Sequence, residues 1–160
     1  DEGAVKLLLR IRSHMRKGDG LIVGFDAFND LAKMQEAYAD SKGITAAFNY
    51  NLLERINREL DGNFNLNNFR HTAFYDPSQK AMVSWLVATE RQVVTIKNVP
   101  TDPQFEFEVG EGIQLERSRK YSKTDIATLA EHAQLVPAEW MDGTDEATGC
   151  SFTECLFTPI

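Results

Sequence analysis

Only two of the 160 residues are cysteine, Cys150 and Cys155, and the three histidines are scattered along the chain. Cys-x4-Cys offers too few ligands for a metal, so no metal site is expected. A pair of reduced thiols in a strand fits a cytoplasmic protein. No apolar run approaches the roughly 20 residues needed to span a membrane, and no signal peptide is visible. Neither a membrane partner nor secretion is expected. Positive charge is also short: 17 Lys and Arg against 24 Asp and Glu leave a net charge of -7. That balance argues against nucleic acid as a partner, which needs clustered cations. Arg117, Arg119, Lys120 and Lys123 do cluster, but with Glu116 and Asp125 among them they read as a solvated strand end. No glycine-rich cofactor loop appears anywhere, so no cofactor-binding residue can be assigned. The chain starts at Asp1, not Met, and enters an amphipathic segment almost at once, which reads as a cut domain.

What is present suffices for a folded unit. At 42% hydrophobic and 26% charged, the chain can build an ordinary core and is not a disordered segment. Ala4, Leu8, Ile11 and Met15 form the stripe of a first helix, with Arg16 and Lys17 expected in its last turn and Gly18 as its stop. Leu21 to Asp26 reads as a short strand buried on both faces, as in a parallel sheet. Asp26 then lies at the edge where doubly wound sheets bind ligands. A helix with Met34 and Tyr38 should follow, ending near Gly43. Phe48, Leu52, Ile56 and Leu60 predict the apolar stripe of the next, with Asn49 and Asn57 largely off it.

From about residue 70 the period changes to two. His71 to Tyr75, Met82 to Ala88, Gln92 to Ile96, Phe105 to Val109 and Ile113 to Ser118 predict an antiparallel sheet of four or five strands. Ser122 to Asp125 is a capping-box start, and Ile126, Leu129, Ala130 and Ala133 form the buried stripe of the helix behind it. Leu135 to Trp140 and Phe152 to Phe157 are the last expected strands, separated by a polar loop from Asp142 to Gly149. Leu21–Asp26 and Phe152–Phe157 are expected to be sheet neighbours. The whole reads as α/β at both ends around an α-plus-antiparallel-β block, most economically an insertion into a doubly wound sheet. A single α+β domain is the alternative.

Glu116 and Ser118 are two apart on a strand, so their side chains should share a face. A carboxylate and a hydroxyl pointing together can read both nitrogens of an imidazole; on the residues alone, a solvated face competes with that reading.

Two stretches carry a resemblance. The run Ala37-Tyr38-Ala39-Asp40-Ser41-Lys42-Gly43-Ile44-Thr45-Ala46-Ala47-Phe48-Asn49-Tyr50-Asn51-Leu52-Leu53 and the later Glu116-Arg117-Ser118-Arg119-Lys120-Tyr121 resemble the histidine-specific, S-adenosylmethionine-dependent N-methyltransferases of the ergothioneine pathway. The resemblance extends from Gly20 to Phe157 and implies the C-terminal part of a Rossmann-like methyltransferase sheet, residues 1–29 and 119–160. A substrate-binding insertion, residues 30–118, interrupts it. It implies S-adenosylmethionine as cofactor of the intact protein and histidine as its amino-acid substrate, methylated on the α-amine to the trimethylated product. It also implies that the N-terminal half of the domain lies outside this chain, which alone should be inactive. Tyr38 matches the residue holding the amino-acid end of the substrate, Thr45 a water-mediated contact, Phe48 an aromatic packed on the ring, and Glu116 with Ser118 the imidazole readers. The catalytic residues stay unassigned, as does the role of Asn49. Ser84 stands where histidine-specific members usually carry Met in the ring pocket. A relative acting on a tryptophan derivative shares the architecture, and a non-catalytic small-molecule-binding remnant is a third reading.

Overall fold

The computed structural model describes residues 2–28, 30–146 and 149–160. Its architecture is mixed α/β: α1 (Glu2–Arg12), β1 (Leu21–Asp26), α2 (Leu31–Tyr38), α3 (Ile44–Leu60), β2 (Phe69–Asp76), β3 (Ala81–Ala88), β4 (Gln92–Thr95), β5 (Gln104–Phe107), β6 (Gly112–Arg119), α4 (Lys123–His132), β7 (Leu135–Thr144) and β8 (Ser151–Pro159). The expected polar loop from Asp142 starts later, because β7 runs on to Thr144; Ala147 and Thr148 of that loop, like Asn29, lie outside the described residues. Two compact units form, one from the chain up to Lys33 together with Arg119–Ile160, the other Met34–Ser118.

In the first unit the strands run in the order β1-β8-β7. Leu21–Asp26 and Phe152–Phe157 are neighbours as expected, Leu21 opposite Phe157 and Asp26 opposite Phe152. The pairing is antiparallel, however, and β1 is not buried on both faces. Phe25 is buried on one side with Cys155, Phe157, Leu135 and the stripe of α4, while Ile22 on the other is 62% exposed. The reason is that α1 and α4 supply apolar cover to one face, with Leu8, Ile126, Leu129, Ala130 and Ala133 buried there. The capping box forms in full: Asp125 N–H donates to Ser122 Oγ at 3.1 Å and Ser122 N–H to Asp125 Oδ2 at 3.0 Å.

Two expectations for this unit need correction. Helix α1 ends at Arg12, short of Arg16 and Lys17, because Ser13 Oγ donates to Arg10 O and the Arg12 guanidinium donates to the carbonyls of Gln134 and Ile160. Gly18, at φ +97°, serves a later turn. Nor is the basic cluster simply solvated. Lys120 is 3% exposed and ion-paired with Asp26, and Lys123 reaches Asp142 at 2.6 Å. A buried ammonium is tolerated only when paired in this way.

In the second unit the expected single sheet is two, β2-β3-β6 and a separate hairpin β4-β5. The edge of β3 is taken by the chain entering β6, with Ala88 N–H donating to Glu111 O at 2.7 Å and Gly110 N–H to Ala88 O at 2.9 Å. The hairpin therefore cannot join that ladder. It contributes side chains instead: Val94 is buried, and Phe107 packs partly buried, on Leu53, Phe64, Phe69, Leu86 and Ala88.

Helix α3 is turned relative to its apolar count. Phe48 is 76% and Leu52 45% exposed, whereas Asn49 and Leu53 are buried. Polar residues occupy the inner face because each finds partners there. Asn57 brackets Phe64, donating to its carbonyl and accepting from its N–H, both at 2.8 Å. Asn49 meets His71. A hydrogen-bonded amide can be buried where an unpaired one could not. Leu53→Ala should consequently cost about 2–5 kcal/mol, and Leu52→Ala about 0.5 kcal/mol or less, in urea unfolding. Equal costs would mean this rotation of α3 is wrong.

Candidate functional site

The connection from α2 to α3 is built by one carboxylate. The positional N-cap of α3, Gly43, adopts φ +72° and has no side chain to offer. Asp40 does the capping from upstream: Thr45 N–H donates to its Oδ2 at 2.8 Å and Ile44 N–H to its Oδ1 at 3.0 Å. A charge-assisted pair of this kind at a helix N-terminus favours the ionised form. These N–H donors, Thr45 first, hold the Asp40 carboxyl down to about 2. Thr45 Oγ1 donates to Ala37 O at 3.3 Å, which folds the first turn of α3 back on the end of α2.

This corner is held to the sheet. Gln35 Nε2 donates to Ala73 O at 2.8 Å on β2, and Asn49 Nδ2 lies 2.8 Å from His71 Nε2. Antiparallel pairing sets His71 opposite Leu86 and Ala73 opposite Ser84, so these four residues share one face of the sheet. It is the face of α3, since Leu53 packs there with Phe69, Leu86 and Ala88.

The residues singled out from the sequence fall in three places. Tyr38, half-buried at the end of α2, and Thr45, half-buried in the first turn of α3, belong to the Asp40 corner. Phe48 is on the same turn of α3 but points outward, an exposed aromatic rather than a core residue. Ser84 is 0% exposed, and its hydroxyl has no hydrogen-bond partner among the described residues. An orphaned buried hydroxyl is uncommon. Glu116 and Ser118 sit on β6, where exposed and half-buried residues alternate as far as Leu115. At Glu116 and Arg117 the alternation stops: both are exposed, while Ser118 and Arg119 are both half-buried.

In the sequence His71 is one strand residue among others, and Asn49 lies off the apolar stripe. A polar pair spaced 22 residues apart leaves no periodic signal. Burial lowers the His71 pKa from its usual value, and the Asp40 carboxylate opposes that shift. No group of three or more His, Cys, Asp or Glu among the described residues is placed to hold a metal, and no described helix is long and apolar enough to cross a membrane.

Stability at the Asp40 corner has a defined pH window. The folded pKa is depressed, so the contribution is complete above the unfolded value of about 4 and is lost as pH falls through about 2. Asp40→Asn should remove that part of the acid transition, read as the pH dependence of the melting temperature between about pH 4 and 2. An unchanged profile would show that Asp40 does not cap α3 in solution.

Known proteins resemble this chain over nearly all of it. A family profile described as "Histidine-specific methyltransferase, SAM-dependent" matches residues 1–155. A histidine N-alpha-methyltransferase of Mycobacterium tuberculosis (strain CDC 1551 / Oshkosh) is 34% identical over 142 residues, covering 89% of this chain and 43% of the relative. The protein of the same name from Mycolicibacterium smegmatis is 31% identical over 135 residues, with 84% and 41% covered. An ergothioneine biosynthesis protein 1 of Neurospora crassa is 28% identical over 142 residues, 79% of this chain and 14% of its own length. The chain thus spans less than half the length of each of these relatives. A crystal structure of an S-adenosylmethionine-dependent methyltransferase from Clostridium acetobutylicum overlaps 97% of this chain and 50% of its own at 12% identity, with a TM-score of 0.37.

Proposed function

The chain belongs to the histidine-specific, S-adenosylmethionine-dependent methyltransferase family, and from that membership we propose that the full-length protein methylates the α-amine of L-histidine, up to the trimethylated product, in ergothioneine biosynthesis. The observation that carries the reading is the family match over residues 1–155. In this reading residues 30–118 recognise the substrate, and residues 1–29 with 119–160 complete a Rossmann-like methyltransferase sheet.

The described residues do not by themselves fit the cofactor. No glycine lies between β1 and α2 to let backbone N–H groups approach a ligand. The carboxylate at the end of β1, Asp26, is engaged by Lys120. We therefore place the cofactor pocket in the remainder of the full-length protein. S-adenosylmethionine supplies the methyl group when bound. The work left to these residues is to hold the substrate so that its unprotonated amine is in line for displacement, a gain from orientation rather than from acid–base chemistry.

Tyr38 takes the amino-acid end of the substrate in this assignment, and Thr45 contacts it through water. Their common attachment to the Asp40 corner supports a shared role. Phe48 packs on the ring, for which an exposed aromatic beside that corner is available. Glu116 and Ser118 read the ring nitrogens. A second reading rests on Ser84. Small residues face each other there, Ser84 opposite Ala73, which favours a larger ring such as that of a tryptophan derivative. A non-catalytic binding remnant is the third.

Calorimetric titration of the full-length protein with histidine and with tryptophan derivatives separates these readings. Glu116→Ala should weaken histidine binding by about ten- to a hundredfold, as expected for loss of a charge-assisted hydrogen bond, while sparing cofactor binding. The isolated 160-residue chain should show no micromolar binding of S-adenosylmethionine. Unchanged histidine affinity in Glu116→Ala would remove the ring-reading role. Preference for the tryptophan derivative would select the second reading, and absence of turnover by the full-length protein the third.

A further inference from the structure

Asn49 lies one helical turn beyond Thr45 and next to Phe48, the two residues assigned above to the substrate, and its side chain is buried. Its amide nitrogen is 2.8 Å from His71 Nε2. In this orientation the amide nitrogen donates to Nε2, which pairs with a neutral ring whose proton is on Nδ1. The backbone of His71 is tied to the same helix: its N–H donates to the Tyr50 hydroxyl at 3.2 Å, and that hydroxyl donates to Phe69 O at 2.7 Å. Strand β2 thus grips the first two turns of α3 at two adjacent residues, Asn49 and Tyr50.

We propose that His71 is a positioning residue for substrate binding: as a neutral acceptor it fixes Asn49 in its present orientation, and through it the turn carrying Thr45 and Phe48, and its protonation breaks that bond. The inference rests on the substrate-helix reading given above. Protonated Nε2 would set an N–H against the amide N–H of Asn49, so the bond must break or the amide must turn over. The Asp40 carboxylate, ionised down to about pH 2, acts on the ring from the α2–α3 connection, Asn49 Nδ2 meets it from α3, the Tyr50 hydroxyl takes the backbone N–H, and the residue opposite on β3 is the uncharged Leu86. Burial outweighs the attraction of Asp40, which leaves the ring neutral at pH 7. The sign follows: positioning is complete above the ordinary histidine value of about 6.5 and is lost as pH falls through the lowered one.

The test is calorimetric titration of the full-length protein with L-histidine between about pH 5 and 8, on wild type, His71→Gln and His71→Leu, with melting temperatures as the folding control. Gln keeps an acceptor oxygen and does not titrate; Leu leaves the Asn49 amide unpaired. His71→Gln should bind within about threefold of wild type at pH 7.5 and lose up to about tenfold less affinity towards pH 5. His71→Leu should bind about tenfold more weakly at pH 7.5. The imidazole of the ligand titrates identically in all three, so the difference between profiles isolates His71. A His71→Gln profile parallel to wild type, or histidine binding unchanged in a folded His71→Leu, overturns the inference and leaves the substrate assignment standing. If His71→Leu does not fold, the His71→Gln profile alone decides. Failure of the wild type to bind histidine at any pH overturns the substrate assignment and this inference with it.

Discussion

Asn49 and Asn57 need hydrogen-bond partners once buried, and the partners they take, His71 and the backbone of Phe64, fix the rotation of α3 about its axis. Much of the second unit depends on that rotation. It sends Leu53 into the core beside Phe69, Leu86 and Ala88, and it turns Phe48 and Leu52 out to solvent. It also brings the first turn of α3 over the part of β2 and β3 where Ala73 and Ser84 face each other. An apolar stripe alone would have chosen a different face, because transfer of Phe and Leu from water is worth more than transfer of amides. The amides prevail because both of Asn57's hydrogen-bonding groups are satisfied locally and Asn49's is met by an imidazole.

Asp40 sets the position of that helix as the amides set its rotation. A left-handed residue at the helix start leaves the N-terminal donors without a side-chain acceptor. Asp40 answers from three residues upstream, engaging Ile44 and Thr45. The family resemblance runs through this same segment, from Tyr38 to Tyr50. Capping and proposed substrate contacts are therefore compressed into a dozen residues.

The first unit follows a simpler rule. Its sheet has one covered face, and the cover comes from α1 and α4, whose stripes were evident as periodic apolar residues. Lys120 is the exception to simple patterning. As the strand β6 gives way to α4, its ammonium is buried against Asp26. Breaking such a pair by removing one partner is far more costly than its net stabilisation suggests, since the other charge is left buried.

The sequence by itself determined the helix and strand order, the capping box at Ser122 to Asp125 and the stripe of α4. It also carried the family, because the run from Tyr38 to Tyr50 and Glu116-Arg117-Ser118 are contiguous motifs that need no fold to be read. These features are local or periodic, and propensity and pattern act over a few residues. Only the tertiary structure decided the split of the middle strands into two sheets, the single covered face of β1, the burial of Lys120 and the turn of α3. Each depends on partners far apart in the chain: Ala88 with Glu111, Lys120 with Asp26, Asn49 with His71. A polar residue looks solvent-facing in a sequence because its cost of burial is intrinsic, whereas the hydrogen bond that offsets this cost exists only once the distant partner has been brought within 3 Å.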